Sequence, residues 1–184
     1  MSFPQNTGHA APFPRLSILL HWVMAALILV MLFVGLFMAH NSTIHYASLF
    51  TLHRTVGFLL LLLVIVRLIN RFTNRTPPLP DDLPTPMKLA AHLSHLLLYG
   101  FMIALPLVGW AMLSAGGYPI TLWGGCHIPP LMGFHPHLWG ELRCLHSLLA
   151  YGLILLILTH IGAALLHGII RRDGVLASML KYNK

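Results

Sequence analysis

Apolar residues run almost unbroken through four stretches of the chain, about 16–39, 49–70, 89–113 and 145–170, and polar or proline-bearing segments separate them. A helix rises about 1.5 Å per residue, so about 20 residues cross the hydrocarbon layer of a bilayer. Every one of the four stretches is long enough. The pattern predicts an all-α membrane protein, a single membrane domain over residues 1–184 built as a four-transmembrane-helix bundle. A polar tail of 15 residues, MSFPQNTGHAAPFPR, precedes the first stretch. That stretch is too long for the apolar core of a secretory signal and no small-residue cleavage site follows it, so it is expected to persist as a helix.

Composition agrees with the pattern. Of 184 residues, 57% are hydrophobic and 8% charged, against roughly 25% charged in an average soluble domain. The formal charge of +7 does not come from a basic patch set in polar surface; its lysines and arginines flank the apolar runs, which excludes nucleic acid as the expected partner and leaves membrane lipid. Their distribution sets an orientation. Arg15, Arg67, Arg71, Arg75, Lys88, Arg171, Arg172, Lys181 and Lys184 fall on one side, and only Arg54 and Arg143 on the other. By the positive-inside rule both termini are expected in the cytoplasm, together with the loop RFTNRTPPLPDDLPTPMK, whose prolines predict an extended strap. The opposite side carries a short loop, HNSTIHYAS, and a longer one from Ser114 to about Arg143. Trp110, Trp123 and Trp139 gather around the longer loop as interfacial aromatics do, and Trp22 marks the other interface. Cys126 and Cys144 both map to the outer side. They are either a disulfide or two unpaired small apolar residues, and the two readings stay open.

Thirteen histidines stand against four acidic residues, and an ionisable side chain within a membrane helix points to function. A lone membrane histidine also serves as an interhelical hydrogen-bonding group; the arrangement here says more. His146 and His160 bracket LHSLLAYGLILLILTH, 14 residues apart, which is about 21 Å of rise with both side chains on nearly the same face. The second helix runs in the same direction with His53 near its outer end, so Arg67 lies level with His160. The first helix runs oppositely, and His21 falls at the inner level. Two pairs result, His53 with His146 outside and His21 with His160 inside.

Two imidazoles facing each other inside a helix bundle are a means of holding a six-coordinate haem iron, and two such sites at two depths form an electron path through the membrane. Zinc more often takes three or four converging ligands with Cys or carboxylate among them, and the membrane runs offer no acid. The expected cofactors are therefore two haem groups. Arg67 and Arg71 are placed to meet haem propionates, besides acting as topology signals. His92 and His95 share a face at the inner end of the third helix in AHLSHLLLY; ligation, a propionate contact and a proton relay are all open to them, ligation ranking last. His167, seven residues beyond His160, is open to the last two roles. His127, His135 and His137 in the outer loop read as ordinary exposed residues.

These motifs resemble the bacterial cytochrome b561 family of four-helix, di-haem membrane proteins. The resemblance rests on LLHWVMA in the first helix, on LHRTVGFLLLLLVIVRLINR followed by TPPLP, on AHLSHLLLYGFMIALPLVGWAMLSAGGYPI, and on LHSLLAYGLILLILTHIGAALLHGIIRRDGVL, which together cover about Leu16 to Leu176. It implies axial haem ligands at His21, His53, His146 and His160, a place in the bacterial inner membrane, and a quinone-linked activity of which superoxide oxidation is one form: superoxide gives up its electron outside and ubiquinone, or another membrane quinone, accepts it. Arg54 and Arg143, the two outer arginines beside ligand positions, would attract the superoxide anion or hold the outer propionates. The chain departs from the family where many relatives carry two adjacent histidines, since His167 is followed here by Gly168, and in the leucine at 166.

A different class of function is an electron-relay and anchor subunit for a partner dehydrogenase or hydrogenase. The loops are short and supply no large docking element, so a protein partner is not required by the sequence. A histidine-rich proton or metal transporter would be expected to carry intramembrane acids, and these are missing.

Overall fold

The computed structural model describes residues 13–40, 44–74 and 77–180. The N-terminal tail through Pro12, most of the polar part of HNSTIHYAS, and Arg75, Lys181 and Lys184 lie outside the described residues. Four helices are long and apolar enough to cross a membrane: α1 (Arg15–His40), α2 (Tyr46–Thr73), α3 (Thr85–Ala115) and α4 (Pro136–Leu165), the last continuing as a π-turn over Leu166–Arg171. A short α5 (Val175–Leu180) follows, and among the described residues the rest is loop and one turn of 3-10 helix at Trp123–Gly125. An even number of spans brings Arg15 and α5 to the same side of the bundle.

Proline sets two of the helix starts. Pro84 caps α3, with a proline in the first turn, and α4 opens with Pro136 after His135, positions where the missing N–H has no helical partner to lose. That start is nine residues outside the apolar stretch. The turns PHLWGELRC are helical although more polar than the run that follows, so α4 extends past its apolar stretch. Pro106, inside α3, removes one backbone hydrogen bond, which a membrane helix tolerates when its neighbours close around it.

The helices pair as sequential neighbours, and a small core lies at mid-depth. Met24, Leu61 and Val64 are buried there, with Ile28, Tyr99, Met102 and Ile103 packed around them. Most other large apolar side chains face outward, such as Phe33 at 72% and Phe72 at 83% exposure. Lipid is the natural neighbour for those faces, because hydrocarbon solvates them as well as another helix would. On the inner side a polar link joins α1 to α2, the Asn70 amide donating to Ser17 Oγ at 2.7 Å with Asn70 almost fully buried.

The long outer loop folds back across α2. The Arg54 guanidinium donates to the Pro119 carbonyl at 3.2 Å, and the Trp123 N–H donates to Thr55 Oγ1 at 3.1 Å. Trp110 Nε1 donates to the Pro129 carbonyl and the Leu131 N–H to Ser114 Oγ, which fixes the loop's return to α3. On the other side the strap is pinned by Leu83, 4% exposed, and by Lys88 donating to the Asp81 carbonyl. Cys126 and Cys144 are free and exposed.

Candidate functional site

Helix geometry brings four of the histidines on the membrane-crossing helices together in two pairs. On the outer level the His53 ring of α2 faces the His146 ring of α4, centroids 6.2 Å apart and planes at 70°. On the inner level His21 of α1 faces His160 of α4 at 6.3 Å and 62°. A metal held between two imidazole nitrogens would have bonds of about 2 Å on each side; with about 1.1 Å from each nitrogen to its ring centre, that puts the ring centres about 6.2 Å apart. Both pairs match this spacing. His95 also lies beside His160, but at 5.6 Å, too close for the same arrangement.

The outer pair opens on an apolar cavity of about 310 Å³ lined by both imidazoles, Arg54, Arg143, Pro106 and Trp110 among others. His53 Nδ1 and His146 Nδ1 are buried there without a hydrogen-bond partner. Each ring is also seated against a glycine of a neighbouring helix. A Cβ at Gly35 of α1 would lie 3.2 Å from His53 Cε1, and one at Gly109 of α3 would lie 3.3 Å from His146 Cε1. The residues present therefore fit a flat prosthetic group held between two imidazoles: facing rings at the right separation, an apolar slot and cations at its rim. Among the described residues no group of three or more His, Cys, Asp or Glu converges as a zinc-type site would.

At the rim, Arg54 is held in place by Pro119, by Thr51 Oγ1 at 3.2 Å and by the Phe50 ring at 5.4 Å, and its Nε is buried without a partner. Arg143 lies over the Trp139 ring at 5.6 Å and is exposed. Both candidate outer cations thus border the cavity that holds His53 and His146.

The inner level is more polar. Arg67 and Arg71 each stand 5.6 Å over the Tyr99 ring. Arg67 also reaches His21 Nδ1 at 2.9 Å, a contact that counting levels along α2 and α4 does not foresee. His92, grouped with His95 by the sequence, is exposed and takes no place in this cluster. His167 sits beyond the inner pair and bonds Asp173 at 2.6 Å. Gly35, Gly109 and Asp173 carry no sequence signal of their own, because a glycine in an oily helix and an acid in a polar tail are ordinary; only their tertiary neighbours distinguish them. In the outer loop His127 Nδ1 lies 3.0 Å from Thr121 Oγ1, and His135 and His137 are exposed.

Four membrane-crossing helices that bring imidazoles face to face at two depths define the class of transmembrane b-type cytochromes. The chain belongs to the prokaryotic cytochrome b561 family, whose sequence profile matches residues 12–182. It is 30% identical over 165 residues to cytochrome b561 homolog 2 of Escherichia coli (strain K12), covering 87% of this chain and 86% of that protein. Cytochrome b561 homolog 1 of the same organism is 28% identical over 176 residues, 94% and 98% of the two chains. A protein of Yersinia pestis described as probable superoxide oxidase CybB is 32% identical over 130 residues, 70% of this chain and 73% of its own. Membership establishes a multi-pass protein of the bacterial inner membrane that binds b-type haem and transfers electrons.

Proposed function

We propose that this cytochrome holds two haem b groups and carries electrons from superoxide on the outer face to ubiquinone, or another membrane quinone, at the inner face. The observation that carries the reading is the pair of imidazole couples, at 6.2 Å and 6.3 Å, one above the other. The net reaction takes two superoxide anions, one quinone and two protons to two dioxygen molecules and one quinol. The similarity to a protein described as a probable superoxide oxidase supports the choice of donor.

His53 and His146 would hold the outer haem, and His21 and His160 the inner one. When bound, haem supplies a one-electron carrier at each level, with its potential set by burial, ligand hydrogen bonds and nearby charge. The chain's own residues do the rest. Arg54 and Arg143 give the outer rim a positive potential that draws in a small anion. Met24, Leu61 and Val64 keep water out of the layer between the two levels. At the inner level, a His21 bound through Nε2 keeps its proton on Nδ1 and becomes a donor there, so it no longer accepts from Arg67. Arg67 would then be free to pair with a propionate, as would its neighbour Arg71. His167 lies on the same side as the inner pair and handles protons for the quinone. The excess of Lys and Arg on this side supports a cytoplasmic position for it and for both termini.

Rapid mixing tests the reading. Superoxide should reduce the haem of the purified protein, and ubiquinone should reoxidise it. Haem that reduces only through an added partner dehydrogenase, and is indifferent to superoxide, would instead make the protein a relay subunit.

A further inference from the structure

At the inner end of α4 the helix widens into the π-turn over Leu166–Arg171 and ends at Arg172 in the left-handed conformation, φ 52°. Insertions of this kind are rare and often found at functional sites. The widened turn directs His167 toward Asp173, and His167 Nδ1 lies 2.6 Å from Asp173 Oδ2. Both side chains are nearly buried, at 11% and 9% exposure. Two further groups hold the carboxylate: Arg171 Nε donates to Oδ2 at 3.1 Å, and the Val175 N–H donates to Oδ1 at 3.3 Å. Arg171 also reaches Asp82 of the strap at 2.8 Å.

Helix α5 closes over this group. Leu176 occupies the space that a side chain at position 168 would need, so Gly168 is what allows α5 to settle there. Trp22 Nε1 donates to the Met179 carbonyl at 2.9 Å and fastens α5 to α1, one residue from His21. A buried carboxylate with this many fixed donors is not a surface ion pair; it is held so that its remaining partner is held too.

We propose that Asp173 is a positioning residue for His167: it keeps the imidazole proton on Nδ1 and so makes Nε2 the atom that exchanges protons with the reduced quinone. This rests on the quinone reading given above. The physical logic is that of a histidine whose tautomer is set by the hydrogen bond its other nitrogen makes. In the step concerned, Nε2 takes a proton from the aqueous phase on the inner side and releases it to a quinone oxygen, once for each of the two electrons that make the quinol. The two electrons arrive from superoxide through the membrane path, and Asp173 and Arg171 stay charged throughout.

Asp173→Asn, with its shape kept and its charge removed, tests this in the haem-loaded protein. Nitrogen NMR on protein labelled with 15N-histidine, with His167 assigned by its loss in His167→Gln, should show the Nδ1–H tautomer in the parent and a changed tautomer balance in Asp173→Asn. Haem reduction by superoxide should be unchanged, reoxidation by a short-chain ubiquinone should slow on the order of tenfold, and Asp173→Glu should recover most of the rate. An unchanged tautomer in Asp173→Asn overturns the proposal, as does a changed tautomer with parental reoxidation. Should Asp173→Asn fail to assemble, His167→Gln decides: parental reoxidation in that variant overturns the proposal. A parent protein that ubiquinone does not reoxidise at all shows a different failure, that of the acceptor reading, and the proposal falls with it.

Discussion

Gly109→Ala is the sharpest small perturbation of the outer site. The added methyl would sit 3.3 Å from His146 Cε1 and 3.5 Å from its Nδ1, inside comfortable carbon contact, so the imidazole must shift by a few tenths of an ångström or α3 must move. Overpacking of this size costs about 1–3 kcal/mol. Because the displaced group is the side chain proposed to hold the haem, most of that cost should fall on the holo protein, at a factor of ten per ~1.4 kcal/mol. Haem should therefore leave the outer site roughly ten times more readily, measured as transfer to excess apomyoglobin, while the inner haem stays. Gly35→Ala should behave alike, since its methyl would meet His53 Cε1 at 3.2 Å. Gly100→Ala is the control, with nothing within 4 Å of the added atom. Should Gly109→Ala match Gly100→Ala in haem release and in the spectrum of both haems, the ring does not bear on a ligand at that place.

Replacing His53 or His146 by Ala should remove mainly one haem, and replacing His21 or His160 mainly the other; equal loss of both from every folded variant, by haem quantitation, contradicts pairing by depth. Arg67→Gln should lower the midpoint potential of the inner haem by on the order of 60 mV, because removing a nearby positive charge favours the oxidised iron; a redox titration with both potentials unchanged removes the claim. The rate of haem reduction by superoxide should fall as salt is raised past the ~10 Å screening length at 0.1 M, and fall again in Arg54→Gln and Arg143→Gln with haem content intact; indifference to both leaves the outer arginines no part in attraction. Burial works to raise the Asp173 carboxyl, but the bonds from His167, Val175 and Arg171 outweigh it and hold the group below the usual carboxylate range. Its contribution to stability is then present above an unfolded value of about 3.9 and lost as pH falls further toward the folded value, so the melting-temperature gap between the parent and Asp173→Asn should narrow below about pH 4; a gap that widens there has the wrong sign.

Lipid is the reason so much could be read from the chain alone. A lone histidine in hydrocarbon can be a plain interhelical hydrogen-bonding group, but the 14-residue interval on α4 fixes both depth and face, so counting along α2 and α1 pairs His53 with His146 and His21 with His160. Counting stops at what a helix turns toward. His92 and His95 share a face by spacing, yet only His95 reaches the inner cluster, because the rotation of α3 is set by its packing on α4. Arg54 was marked by its neighbour His53, whereas its anchor, the Pro119 carbonyl, depends on the outer loop folding back across α2. Polarity hid the outer turns of α4, since a helix outside the bilayer needs no apolar run. The glycines behind the imidazoles and the carboxylate behind His167 are tertiary facts, and no local pattern announces them.

The proposal of two haems held by four histidines can be tested by counting. Haem quantitation against protein, paired with EPR of the oxidised protein, should give two b-type haems per chain, both low-spin as two nitrogen ligands require, with one signal lost in His146→Ala and the other in His21→Ala. One haem per chain, or a high-spin iron in the parent protein, would contradict the stacked imidazole pairs.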